Sequence, residues 1–201
     1  NYSMNFFEKI NNLKESEKNN YSLNELLDYF KEDIIFTILI FVNLITATIP
    51  IPWGLGFGTI PSGIITLILS FQLIFGFKKP FLPQFIKKKN ITIKFLKNNK
   101  YGIGTFFNKL NYIIKPKFTR LFDFYLLNQL IGLILIPLAI LMLIPVIFTN
   151  LLPSLLILLI SLCYLLKDGI LIIIFMIIAL ITIKLYWKFF NLAIKYIVNL
   201  F

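Results

Sequence analysis

Residues 49–63 read Ile-Pro-Ile-Pro-Trp-Gly-Leu-Gly-Phe-Gly-Thr-Ile-Pro-Ser-Gly. This stretch holds three of the chain's nine prolines and four of its nine glycines. Proline removes a backbone donor and glycine weakens a helix. Pro50, Pro52, Gly54, Gly56, Gly58 and Pro61 therefore mark a break in regular structure. The runs on either side are almost purely apolar. Unpaired backbone groups are costly in lipid. The break belongs at a membrane interface, buried in protein, or beside a wet cavity. A second, weaker break lies at 145–154, carried by Pro145 and Pro153.

Composition agrees with a membrane setting. The 201 residues are 58% hydrophobic, with a mean hydropathy of +0.84 and only 14% charged side chains. Soluble domains are about 45–50% apolar. There is no histidine and one cysteine. This removes histidine acid–base chemistry and most zinc, haem and iron–sulfur sites, and no metal or cofactor is expected. Cys163, inside an apolar run, reads as a small buried hydrophobe.

Charge is unevenly placed. Residues 1–33 carry four lysines and seven acids, and residues 34–77 carry no charge. Residues 78–123 carry twelve Lys or Arg and one acid, so this segment alone matches the net charge of +11. Lysine-rich composition explains Lys over Arg, but not the clustering.

Taken in order, residues 1–33 form a polar, amphipathic cytoplasmic segment with no signal peptide expected. Phe6, Phe7, Ile10 and Leu13 share one helical face. Ser22 with Glu25 is a capping box opening a second helix. Both helices are expected to rest on the membrane surface. The membrane domain spans 34–201. Its first half, 34–83, holds an apolar run over 34–52, the break, and a short run over 62–77. Asn43, Thr46 and Thr48 are the polar side chains of the first run. The linker 84–123 interleaves Lys87, Lys88, Lys89, Lys94 and Lys97 with aromatics and aliphatics. This pattern predicts interfacial helices with lysines on anionic lipid headgroups, not nucleic acid. Such a basic loop is expected in the cytoplasm.

The second half, 124–201, repeats the scheme. A run over 124–148 contains Pro137, the second break follows, and a short run covers 151–166. A charged turn, Lys167-Asp168-Gly169, comes next, then apolar residues 170–183. Lys184, Tyr186, Trp187 and Lys188 look like an interface belt before a short last run. Pro61-Ser62 corresponds to Pro153-Ser154. The expected fold is all-α: a polytopic helical membrane protein with two proline/glycine-broken hairpins forming an internal repeat. Parallel and inverted copies both stay open. Matched, interrupted apolar segments point to a transporter-type site.

Candidate functional residues are few. Asp168 is the only acid after residue 123. An acid at membrane depth suggests function. The alternative is an ordinary helix stop, with Gly169 in a left-handed cap. Asn150 and Gln72 are amides among apolar neighbours; each could line a site or bond freed carbonyls. The Gly54-x-Gly56-x-Gly58 run lacks the following Lys-Ser/Thr of a nucleotide loop.

These residues resemble the ExoD family of bacterial membrane proteins, from about Asn43 to about Leu185. The first half shows Pro50-x-Pro52, Pro61, and a Gln72-x3-Gly76-x3-Pro80-Phe81-Leu82-Pro83 ending. The second shows Pro145, Phe148-Thr149-Asn150, Pro153-Ser154 and Lys167-Asp168-Gly169. Ile147, Thr149 and Lys167 stand where the family pattern has proline, glycine and arginine. The resemblance implies a multi-pass bacterial inner-membrane protein serving exopolysaccharide production. A non-enzymatic transport component fits the scarcity of acids. A scaffold for polysaccharide-assembly proteins stays open, as does an enzyme on a lipid-linked substrate. A homodimer is expected, because a small domain with short runs covers its breaks thinly.

Overall fold

The computed structural model describes residues 6–48, 59–81, 90–92, 117–124, 126–144 and 150–199. Pro50, Pro52, Gly54, Gly56, Gly58 and Pro145 lie outside the described residues, as do Lys87, Lys88, Lys89, Lys94 and Lys97.

The described chain is helical, with one small ribbon. Its helices are α1 (Phe6–Glu15), α2 (Leu23–Phe30), α3 (Glu32–Thr48), α4 (Thr59–Ile74), α5 (Leu126–Leu143), α6 (Leu151–Leu165) and α7 (Gly169–Val198). A 3-10 turn covers Thr119–Asp123. Strands β1 (Asn20–Ser22) and β2 (Asn90–Thr92) pair antiparallel, with Tyr21 opposite Ile91. The linker pattern predicts helices, yet residues 90–92 are extended. Ile91 and Thr92 are β-branched, and β1 offers a partner edge.

Two hairpins, α3–α4 and α5–α6, make the core. They pair crosswise: the broadest contacts are α4 on α5 and α3 on α6. Directions follow from individual contacts. Asn43 bonds Thr66 and Thr46 bonds Ser62, so α3 and α4 are antiparallel. Gly63 lies against Leu143 while Gly132 lies against Ser70, so α4 and α5 are antiparallel too. Phe36 stacks on Tyr164, with ring centroids 3.6 Å apart, placing the start of α3 beside the end of α6. Helices α3 and α5 therefore run in the same sense. The ends of α3 and α5 and the starts of α4 and α6 therefore lie at one end, called here the tips. The opposite end is the base. Helix α7 starts at the base and packs mainly on α6.

Small residues make the crosswise pairing close. A Cβ on Gly132 would meet the Ser70 carbonyl oxygen at 2.7 Å, and one on Gly63 would meet Leu143 Cδ2 at 2.9 Å. Leu73, Ile131, Leu135, Leu138, Ile157 and Ile160 are fully buried around these crossings. Helices α5 and α7 are long and apolar enough to cross a membrane; α4 and α6 are shorter apolar helices.

The base is closed by the N-terminal segment. Phe6 and Leu13 of α1 and Leu27 and Phe30 of α2 are buried, and the Phe6 and Phe30 rings lie 5.3 Å apart. The expected capping box is present: Glu25 N donates to Ser22 Oγ at 3.2 Å, and Ser22 N donates to Glu25 Oε2 at 3.0 Å. Lys79, past the end of α4, pairs with Asp28 of α2.

Three further expectations are corrected. Pro61 and Pro153 do not interrupt helices; they sit in the first turns of α4 and α6. Proline is tolerated there because those amides have no intrahelical acceptor. Residues 170–183 and the last run are not separate, since α7 is one helix of 30 residues. The lysines between them lie on its exposed surface and do not stop it. Gly169 is not the left-handed residue of its turn; Lys167 is, at φ 55°.

Candidate functional site

The base holds a buried charge cluster. Glu32 and Asp33 open α3, where acids suit the positive end of the helix dipole. Asp33 is only 3% exposed. Lys9 of α1 pairs with its Oδ2, and Lys167 Nζ lies 3.6 Å from its Oδ1. The Lys167 ammonium also lies 4.3 Å from the Tyr164 ring centre and 4.9 Å from that of Phe122. Tyr164 donates its hydroxyl to Glu32 Oε2 at 3.4 Å. Buried charges need partners, and two lysines here face two acids. Burial pushes the Lys167 ammonium below the ordinary lysine range, and Asp33 pulls in the opposite direction.

The turn that carries Lys167 explains its motif. Lys167 N donates to the Tyr164 carbonyl and Asp168 N to the Cys163 carbonyl, both at 3.1 Å. Both bonds close a helix end on a left-handed residue. Asp168 then caps α7: its Oδ1 accepts from Ile170 N at 3.1 Å and Leu171 N at 3.0 Å. Gly169 donates to the Lys117 carbonyl at 2.8 Å, and a Cβ there would meet the Phe118 oxygen at 2.5 Å. The Asp168 carboxylate thus holds the start of α7.

Gln72 does similar work. Its backbone carbonyl accepts from Phe77 N at 3.0 Å, with Gly76 left-handed at φ 72°. Its side-chain oxygen accepts from Phe81 N at 2.8 Å. The Gln-x3-Gly-x3-Pro-aromatic spacing is a folded chain reversal below α4. Asn150 sits at the tips, before α6. Its carbonyl accepts from Ser154 N at 3.1 Å, and its side chain, though buried, makes no cap bond. The structure does not bring Asp168, Asn150 and Gln72 together: Asn150 is at the tips and the other two occupy separate turns at the base.

A second polar feature runs inside the α3–α4 hairpin. Asn43, Ser62, Thr66 and Ser70 are all buried. Asn43 Nδ2 donates to the Leu39 carbonyl at 2.9 Å and to Thr66 Oγ1 at 3.1 Å. Thr46 Oγ1 donates to Ser62 Oγ at 2.9 Å, and Ser62 donates to the Thr59 carbonyl at 2.8 Å. Ser70 donates to the Thr66 carbonyl at 2.6 Å. Asn43 Oδ1 receives no protein donor. An unmatched buried acceptor costs about 1–3 kcal/mol. Sequence reasoning singles out Asn43 and Thr46 as polar but assigns them no role. The available signal is their spacing of about one turn, three positions, opposite Ser62 and Thr66 four positions apart.

Elsewhere the polar groups match one another. A groove of about 390 Å³ between α1 and α2 includes Ser16, Lys18, Tyr21 and Glu25. Its Ser16 and Tyr21 hydroxyls bond at 2.8 Å, and Lys18 pairs with Glu25 at 2.8 Å. Among the described residues no group of three or more His, Cys, Asp or Glu side chains is placed to hold a metal ion.

No curated protein and no solved structure matches this chain. A family model does: the one described as "Exopolysaccharide synthesis, ExoD" matches residues 7–188. The match takes in α1 and α2, which supply Lys9 and help enclose Asp33, and it ends within α7. It covers nearly the whole chain, so the protein belongs to the ExoD family and has the family's role in exopolysaccharide synthesis.

Proposed function

We propose that this chain is a multi-pass inner-membrane protein that works without catalysis, moving a lipid-linked sugar or growing polymer during exopolysaccharide synthesis or export. The observation that carries this reading is the crosswise pairing of two hairpins, α3–α4 and α5–α6, that run in the same sense. Matched segments of that kind, related by an axis along the membrane normal, recur in transporters built from parallel repeats. The hairpins are read as two copies of one unit in the same sense.

Charge supports an orientation. The base adjoins the basic segment 78–123, while residues 34–77 carry no charge. A base on the cytoplasmic side, with the lysines of the linker against anionic headgroups, satisfies the positive-inside bias. The acids at the base are engaged: Asp33 by two lysines and Asp168 by two backbone amides. That supports a role without acid–base catalysis.

One observation favours a second reading, a scaffold that pairs with its own copy or with polysaccharide-assembly proteins. Helix α7 extends about 45 Å, against a hydrocarbon core of about 30 Å. Its Trp187, Phe189, Leu192 and Tyr196 are exposed.

A deletion strain separates these readings. Transport predicts less secreted polysaccharide with lipid-linked precursors accumulating. A fall in both product and precursors would favour the scaffold and overturn transport. Unchanged product and precursors would overturn both.

A further inference from the structure

We infer that Asn43 Oδ1, together with the Thr66 hydroxyl, is a binding point for a neutral hydroxyl donor, either a water molecule or a sugar hydroxyl. The orientation of the amide is fixed by its surroundings. Leu39 offers a carbonyl oxygen, which only accepts, so the nitrogen of Asn43 must face it at 2.9 Å. The second amide hydrogen goes to Thr66 Oγ1 at 3.1 Å. Both donors are used, and Oδ1 is left without a donor of its own, with 0% of the residue exposed. Flipping the amide would set oxygen against oxygen at Leu39.

The neighbouring polar groups are already matched. Thr46 donates to Ser62, Ser62 to the Thr59 carbonyl and Ser70 to the Thr66 carbonyl. Among the described residues Oδ1 is the one buried side-chain polar atom without a hydrogen-bond partner. A buried acceptor of this kind calls for an external donor. The charge pattern selects its class. Residues 34–77, which include nearly all of both helices, carry no ionised side chain to balance a cation, and an anion would meet an acceptor. A neutral O–H group fits: it donates to Oδ1 and can exchange a hydrogen bond with the adjacent hydroxyl. The site lies one turn from the Thr46–Ser62 pair, on the side away from the tips.

The water source stands without the transport reading, whereas the sugar source rests on it. The test uses the purified full chain in lipid nanodiscs and X-ray hydroxyl-radical footprinting. Ordered water beside a buried side chain raises its oxidation above what burial allows. Leu39, 0% exposed, is the reporter. Wild-type Leu39 should be oxidised several-fold faster than in Asn43→Leu, with Thr66→Val intermediate. Millimolar glucose or N-acetylglucosamine provides the second arm. Protection of Leu39 by either sugar assigns the site to a sugar hydroxyl; no protection alongside the wild-type excess assigns it to water. Equal oxidation in wild type and both variants overturns the inference. Thermal unfolding of the variants supplies the folding control, and Thr66→Val, an isosteric change, decides the outcome if Asn43→Leu unfolds.

Discussion

At Lys167 the backbone takes φ 55°, a conformation that costs an L-residue about 1–2 kcal/mol. Glycine would avoid that cost but would leave Asp33 with Lys9 alone. The left-handed turn and the buried ion pair are therefore set against each other in one residue. Lys167 is held below the ordinary lysine value of 10.5, chiefly by burial. A base with a lowered folded value binds fewer protons folded than unfolded between that value and 10.5. Stability contributed at this position thus rises with pH across that window. The stability of wild type relative to Lys167→Met should improve as pH rises towards about 10.5, read by thermal unfolding in detergent. A flat difference would count against burial as the dominant cause. Asp168 lends itself to a sharper comparison. Asparagine caps helices as well as aspartate does, whereas alanine costs about 1 kcal/mol. Asp168→Asn should retain stability and polysaccharide production, and Asp168→Ala should lose stability by about that amount. Loss of production in a stable Asp168→Asn would return a functional role to the carboxylate.

The seam between α4 and α5 is set by two glycines that differ in consequence. At Gly132 the obstacle to a Cβ is the Ser70 backbone oxygen, so the helices themselves must separate. At Gly63 it is the end of the Leu143 side chain, which can turn aside. Gly132→Ala should cost about 1–3 kcal/mol by overpacking, and Gly63→Ala distinctly less. Comparable melting temperatures for the two would show that the helices already have slack. Neither contact is legible in the sequence, because each joins halves of the chain far apart. What is legible is local. Ser22 and Glu25 stand three positions apart, and that spacing is enough to mark a capping box. Gln72, Gly76 and Phe81 form a visible pattern, although its hydrogen bonds are not visible with it. Asp33 escapes a sequence reading because its partners are remote: Lys9 lies 24 positions away, and the neighbouring Glu32 meets Tyr164 over 132 positions. By composition it belongs to a polar tail, yet it is buried under the two hairpins.

For the whole molecule, the apolar runs and their breaks foretell the two hairpins to within a few residues at each end. They do not foretell how the hairpins pair. Crosswise pairing depends on which faces carry small residues, and the runs are apolar all round, so periodicity marks no face. With the base cytoplasmic, as proposed above, the arrangement makes a topological prediction. In a Cys163→Ala background, Phe57→Cys and Phe148→Cys should both react with a membrane-impermeant maleimide added outside intact cells. Lys94→Cys should react only after permeabilisation. Labelling of the two tips from opposite sides would refute hairpins running in the same sense.

The base is fastened by the Lys9–Asp33–Lys167 cluster, the Lys79–Asp28 pair, the β1–β2 ribbon and the Gly169–Lys117 bond. The base, fastened in this way, is the heel about which a swing of one hairpin against the other would turn. If one arm swings by about 10° over a length of about 25 Å, its free end travels about 4 Å while the heel barely moves. Displacement on that scale matches the width of a sugar ring's edge, and it would be delivered at the tips, away from the charged base.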